Sequence, residues 1–330
     1  MPTVIGFHCS HEQLPPSILL RNATLAADAG FEALMCSDHF HPWSERQGQS
    51  GFAWSWLGAA LQATTTASFG TVCAPGQRYH PAVIAQAAAT LAEMFPGRFW
   101  LALGSGEAVN EQIAGPWPDK PARHARLREC VEVMRALWAG DCVTLRGHTT
   151  TQGARLYTRP AQPPLIVGAA LTPDTARWAG SWADALVTVA GDRERMQRIV
   201  DAFRDGGGAG KPLFLQVALA YAPTDAEALA AAHDQWRQPA LPTMQLAELD
   251  SVAAFDRATA DTRPEDVLAG VRVSADIERH IDWLHEDRAL GFERIYLHNV
   301  ARDHQELFIR ACAARLLPAF AGRPLEDTHA

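Results

Sequence analysis

Short runs rich in apolar and β-branched residues recur along the chain, each separated from the next by a longer segment whose apolar positions fall three and four residues apart. The runs lie at 3–8, 31–37, 68–73, 98–104, 164–169, 183–189, 213–221 and 292–299. A continuous apolar run reads as a strand buried on both faces, and the three-and-four spacing as a helix with one buried stripe. After the third run, "PAVIAQAAATLAEMF" carries Pro81 where a first helical turn tolerates it, and "ARHARLRECVEVMRALWAG" repeats the helical stripe. Eight strand–helix units predict an α/β fold, a closed (β/α)8 TIM barrel, with residues 1–330 as one domain. Two stretches break the rhythm and read as insertions: 141–160, a predicted hairpin, and 238–270, which is polar with little strand character. "DGGGAG" before Lys211 follows a helix and precedes a strand. That is the reverse of the order a phosphate loop needs, so it reads as a helix stop.

Barrel enzymes carry their chemistry at the carboxyl ends of the strands. Polar residues gather there: "HCSHE" after the first run, "SDHFHPW" after the second, "VCAPGQRYH" after the third, "GSGEAVNE" after the fourth and "HNVARDH" after the last. The change from core-like "MC" to "SDH" at 37–39 marks where a buried strand ends and a loop faces the mouth. Composition narrows the function. A formal charge of −8 argues against a nucleic-acid or membrane surface and leaves a small-molecule substrate. Six cysteines without a C-x-x-C pair, and no basic segment followed by an apolar stretch at the amino terminus, predict a reduced cytoplasmic protein. No apolar run approaches the roughly 20 residues that cross a bilayer. His39 and His41 lack a third ligand at a suitable spacing, so no metal is expected.

"SDHFHPW", "RYHPAVIAQ", "LGSGEAVNE" and "RLRECVEVMRALWAGD" resemble, in order and spacing, the luciferase-like flavin oxidoreductases, in particular the branch of glucose-6-phosphate dehydrogenases that use coenzyme F420. The resemblance is dense over about the first 140 residues and weaker at "PLIVGAA" and "GFERIYLHN". It implies a homodimeric barrel that holds a flavin-type ring at its mouth. It also implies roles. His39 would exchange a proton with the substrate oxygen, Glu107 would act as an acid opposite it, Trp43 would pack over the reacting centre, and Glu12 would be a nearby carboxylate. Asp38 would touch the ring's polar edge, and the Val72–Cys73 peptide would be a cis bond against its face. Ser105, Gly106 and Asn110 would complete the pocket, and the amides around Gly168, Ala169 and Ala170 would receive the cofactor phosphate. As a loop side chain, His39 is expected to contribute little to the core.

Two departures bear on ligand choice. The chain has only two lysines, Lys120 and Lys211, neither where the sugar-phosphate enzymes hold the phosphate, and Asp192 stands near one such position. Arg272 could supply part of the missing arginine. Glucose 6-phosphate is therefore not expected as substrate. The phosphate loop reads "GAALT" in place of paired glycines, and FMN-using relatives share the ring contacts, so the cofactor is FMN or F420. The few basic residues near the mouth favour FMN. The expected function is hydride transfer between this cofactor and an alcohol or carbonyl, the acid–base set being suited to it. The alternatives are a two-component monooxygenase served by a separate flavin reductase, and a non-catalytic flavin-binding protein.

Overall fold

The computed structural model of the protein describes residues 3–321. Eight parallel strands close into a barrel: β1 (Val4–Cys9), β2 (Ala33–Ser37), β3 (Ser68–Cys73), β4 (Phe99–Leu103), β5 (Leu165–Ala169), β6 (Ala185–Val189), β7 (Leu213–Ala220) and β8 (Arg294–Asn299). Each pairs with the next in sequence, and β8 returns to β1 through Val4↔Arg294 and Phe7↔Leu297. Helices pack outside the ring, among them Pro81–Met94, with Pro81 in its first turn, and Lys120–Ala139, which Gly140 ends in the left-handed region at φ 98°. The eight-stranded barrel is the architecture that the apolar periodicity predicts.

Alternation along each strand sends every second side chain into the barrel. Trp100, Phe214, Tyr296, Met35 and the small Ala33, Ala102 and Ala185 fill the interior. Their ring planes meet edge-on or tilted. Gly6 and Gly70 leave room for the rings of Tyr296 and Trp100, which a Cβ at either position would overlap. The opposite face of each strand packs on the helices in a larger apolar layer.

Residues Val143–Arg146 and Thr150–Ala154 form a separate antiparallel hairpin. The 238–270 stretch folds into short helical turns, at Gln238–Ala240, Thr243–Glu248, Val252–Ala258 and Pro264–Ala269. It lies against the mouth. "DGGG" ends the helix Arg193–Phe203 with Gly207 at φ 101°, as the helix-stop reading expects. No described helix is long and apolar enough to cross a membrane.

Candidate active site

A cleft of about 470 Å³ opens at the carboxyl ends of the strands. Inward-facing positions at the ends of β2 to β7 floor it: Ser37, Val72, Gly104, Ala169, Val187 and Gln216. His39, Trp43 and Glu107 rise from the loops after β2 and β4. Ser105, Gly106 and Ala170 also line it.

His39 is the centre of this group. Its Nδ1 lies 2.6 Å from Glu12 Oε1, and its Nε2 lies 4.0 Å from Glu107 Oε2. Glu12 is buried, at 1% side-chain exposure, and its other oxygen accepts from the Ser10 hydroxyl at 2.7 Å. Trp43 meets the His39 ring edge-on at 5.0 Å and is backed by Phe255 at 5.1 Å. Burial alone would lower His39, but the charge and close contact of Glu12, with Glu107 adding to them, raise its pKa above the ordinary imidazole value. Burial pushes Glu12 upward, yet the opposed charge of His39 and their contact hold this carboxyl well below its usual range. Both shifts favour the charged pair, an imidazolium against a carboxylate. The expectation that it contributes little to the core is corrected: it neutralises a buried charge.

The neighbouring histidines behave differently. The rings of His8 and His298 lie 4.4 Å apart, tilted by 32°, and His298 Nε2 bonds Gln13 Oε1 at 2.8 Å. Burial lowers His298 and His11 to about 4, and burial with the His298 charge lowers His8. These three stay neutral in the fold but take up protons when unfolded below 6.5, so folding stability falls as pH drops from 6.5 towards 4. Melting temperature measured across that interval should decline before most carboxylates titrate. A melting temperature that is flat or rises towards pH 4.5 would count against this.

Asp38 points the other way. Because β2 alternates, its carboxylate faces outward beside Ser37 and accepts from Trp54 Nε1 at 3.2 Å and the Tyr79 hydroxyl at 3.0 Å. Arg78 lies 3.5 Å from it and also bonds Glu111 at 3.3 Å. Burial pushes Asp38 up against the opposing effect of Arg78, Tyr79, His39 and Trp54. This buried cluster ties the loops after β2, β3 and β4 together. Asp38 does not line the cleft. Neither does Cys73, whose side chain packs in the outer apolar layer and whose thiol burial pushes well up. Asn110 works through the loop backbone, its Oδ1 accepting from Phe40 N and His41 N at 2.9 and 3.0 Å. Gly168 faces the helices, where a Cβ would stand 2.9 Å from Ala179 Cβ.

The expected cis bond between Val72 and Cys73 is corrected, since no described peptide is cis. A trans bond there lets Val72 O accept from Asp38 N at 3.1 Å and Cys73 O accept from Gly104 N at 3.0 Å, continuing both ladders.

The cleft lining also includes cations that the sequence reading did not place there: Lys120, Arg123 and His124 at the start of helix Lys120–Ala139, and Arg195 after β6. Arg123 lies over Trp117 at 4.3 Å and bonds Glu248 at 2.9 Å, while its Nε and His124 Nε2 are buried without a hydrogen-bond partner among the described residues. Arg195 bridges the loops after β5 and β6 through Leu171 O at 3.0 Å. The periodicity of helix 120–139 gave no sign of this, because its first turn reaches the mouth only through the fold.

Residues 2–294 match the family model described as luciferase-like monooxygenase. The chain belongs to that family. Among curated relatives, this luciferase-like protein is 34% identical to the F420-dependent glucose-6-phosphate dehydrogenase of Beutenbergia cavernae, over 97% of this chain and 98% of the relative. It is 33% identical to the enzyme of the same name from Microbacterium testaceum, over 98% and 99%. Among solved structures it is similar to an F420-dependent secondary alcohol dehydrogenase in complex with an F420-acetone adduct, at 30% identity, TM-score 0.89, and coverage of 97% of this chain and 99% of the other. The luciferase-like chain is therefore an oxidoreductase, as the motifs implied.

Proposed function

We propose that the protein is an F420-dependent dehydrogenase of an uncharged alcohol, working in reverse as a carbonyl reductase. The observation that carries this is the row Glu12–His39–Glu107 at the cleft, with one imidazole nitrogen held from behind and the other presented to the cavity. The names of the relatives, dehydrogenases of a sugar phosphate and of a secondary alcohol, support it.

The residues present fit a deazaflavin with an anionic tail. Val72, Gly104 and Ala169 offer a flat apolar floor, and Lys120, Arg123 and Arg195 with the partnerless nitrogens of Arg123 and His124 offer a cationic end. This overturns the reason for favouring FMN, which was a shortage of basic residues near the mouth. When bound, the deazaflavin would supply the hydride acceptor or donor. His39 moves the proton at Nε2: deprotonated, it accepts from the hydroxyl, and as imidazolium it donates to a carbonyl oxygen. Glu12 orients the ring by holding Nδ1. Glu107, 4.0 Å from Nε2, can engage the same oxygen from the other side, and Trp43 with Phe255 shields it from water.

The test is direct. Titration of the purified protein with oxidised F420 and with FMN should give a dissociation constant about tenfold or more lower for F420, one extra charge-assisted contact being worth that much. Tighter binding of FMN, with oxygen consumption once it is reduced, would return the monooxygenase reading.

Glucose 6-phosphate should be a poor substrate. Arg272 is engaged by Asp287 at 2.6 and 2.8 Å, Lys211 donates to Gly180 O at 2.8 Å, and Asp192 stands at the cleft. A phosphate beside the Asp192 carboxylate, with Lys211 and Arg272 engaged elsewhere, costs about 3 kcal/mol, or about 10²-fold in kcat/KM against a neutral alcohol. Comparable efficiencies would remove the argument.

A further inference from the structure

Trp236, Pro239, Leu241, Met244 and Gly270, from the segment that follows the helix Asp225–Gln235, give the cleft an apolar wall. Two amides interrupt this apolar wall. Gln216 is the one polar side chain along β7, at an inward position between Phe214 and Ala218, and its amide makes no hydrogen bond among the described residues. Gln238 is 8% exposed, and its Nε2 is buried with no hydrogen-bond partner among the described residues. A buried amide left unpaired costs free energy, which a ligand that pairs with it recovers.

A primary amide both donates and accepts, and carries no charge. It therefore matches a hydroxyl, and it lacks the charge that holds a phosphate or carboxylate. Asp192, which also lines the cleft, accepts from Arg195 N at 2.8 Å, so this carboxylate and that cation share one part of the lining. Trp236, set edge-on to His298 at 4.5 Å, offers a face of the kind that packs on a sugar or cyclitol ring.

We infer that the substrate is an uncharged polyol, with Gln216 and Gln238 reading hydroxyls beside the carbinol that reacts. This rests on the alcohol-dehydrogenase reading and adds the specificity-determining residues. With a deazaflavin bound as hydride acceptor, the carbinol carbon would give up its hydride to it and the hydroxyl proton would pass to His39, leaving a neutral hydroxyketone and the reduced cofactor.

The experiment compares cyclohexanol with cis-cyclohexane-1,2-diol on the F420-loaded protein, by turnover and by saturation-transfer NMR, which reads binding without turnover. The diol should be favoured by about tenfold or more in kcat/KM and in binding, as one extra satisfied amide predicts. Gln216→Leu and Gln238→Leu should bring the diol-to-cyclohexanol ratio near one, and Gln216→Met, which keeps the size without the amide, repeats the test should a leucine variant fail to fold. Equal use of both alcohols by the wild type, or a ratio that none of the variants moves, overturns the inference and leaves the dehydrogenase reading standing. Glutamine-dependent binding of the diol without oxidation of either alcohol supports the polyol site and overturns the dehydrogenase reading.

Discussion

His39→Gln is expected to lower turnover by about 10²- to 10⁴-fold, the usual share of a general acid–base group. Glutamine keeps a donor near Glu12 but cannot exchange a proton at the position of Nε2. Because Glu12 is at 1% side-chain exposure, the variant should also melt earlier, its buried carboxylate having lost a countercharge. The two effects separate experimentally: turnover per bound cofactor, taken well below the melting temperature, should still show the full loss. Were His39 only structural, stability would fall and turnover per bound cofactor would not.

Glu12→Ala should have the second largest effect. It leaves the His39 imidazolium with only the more distant Glu107, 4.0 Å from Nε2, a change that costs about 3–5 kcal/mol when one partner of a buried pair is removed. The sign with pH follows from the two shifts. His39 is raised, so its contribution to stability is complete below the ordinary imidazole value and fades as pH rises through the raised one. Glu12 is depressed, so its contribution holds above the ordinary carboxylate range and fades as pH falls through the lowered value. Alcohol oxidation needs His39 deprotonated and should therefore rise with pH through the raised His39 value, while carbonyl reduction should fall through it. Without Glu12 both inflections should move towards acid. Inflections that stay in place, in either direction of reaction, would detach Glu12 from the proton-transfer step.

The barrel was legible because each of its strands is an apolar run bounded by polar loops, as "RFWLALG" and "FERIYLHN" illustrate. The site was legible in part, for a reason that lies in the pleat. In "SDH", Ser37 faces the mouth and Asp38 the helices, and the loop then turns His39 back over the cleft. Counting by two from Met35, an interior residue, would have placed Asp38 outside. The same count sends Cys73 outward beside an inward Val72. Gln216 carried a usable signal as the lone polar residue in "LFLQVALAY". The cationic end and the wall around Trp236 and Gln238 carried none, since they come from a helix start and an irregular segment whose position depends on tertiary packing alone.

The central claim, hydride transfer from an alcohol to F420 with His39 as the proton acceptor, is tested most directly by anaerobic rapid mixing. The F420-loaded protein is mixed with cis-cyclohexane-1,2-diol bearing deuterium on its carbinol carbons, and the loss of the deazaflavin's visible absorbance is followed. The account predicts bleaching without oxygen, slower than with the protonated diol, with deuterium recovered in the reduced cofactor, and all of it suppressed in His39→Gln. Absence of bleaching with this diol and with cyclohexanol, together with oxygen-dependent product from reduced FMN, would contradict it.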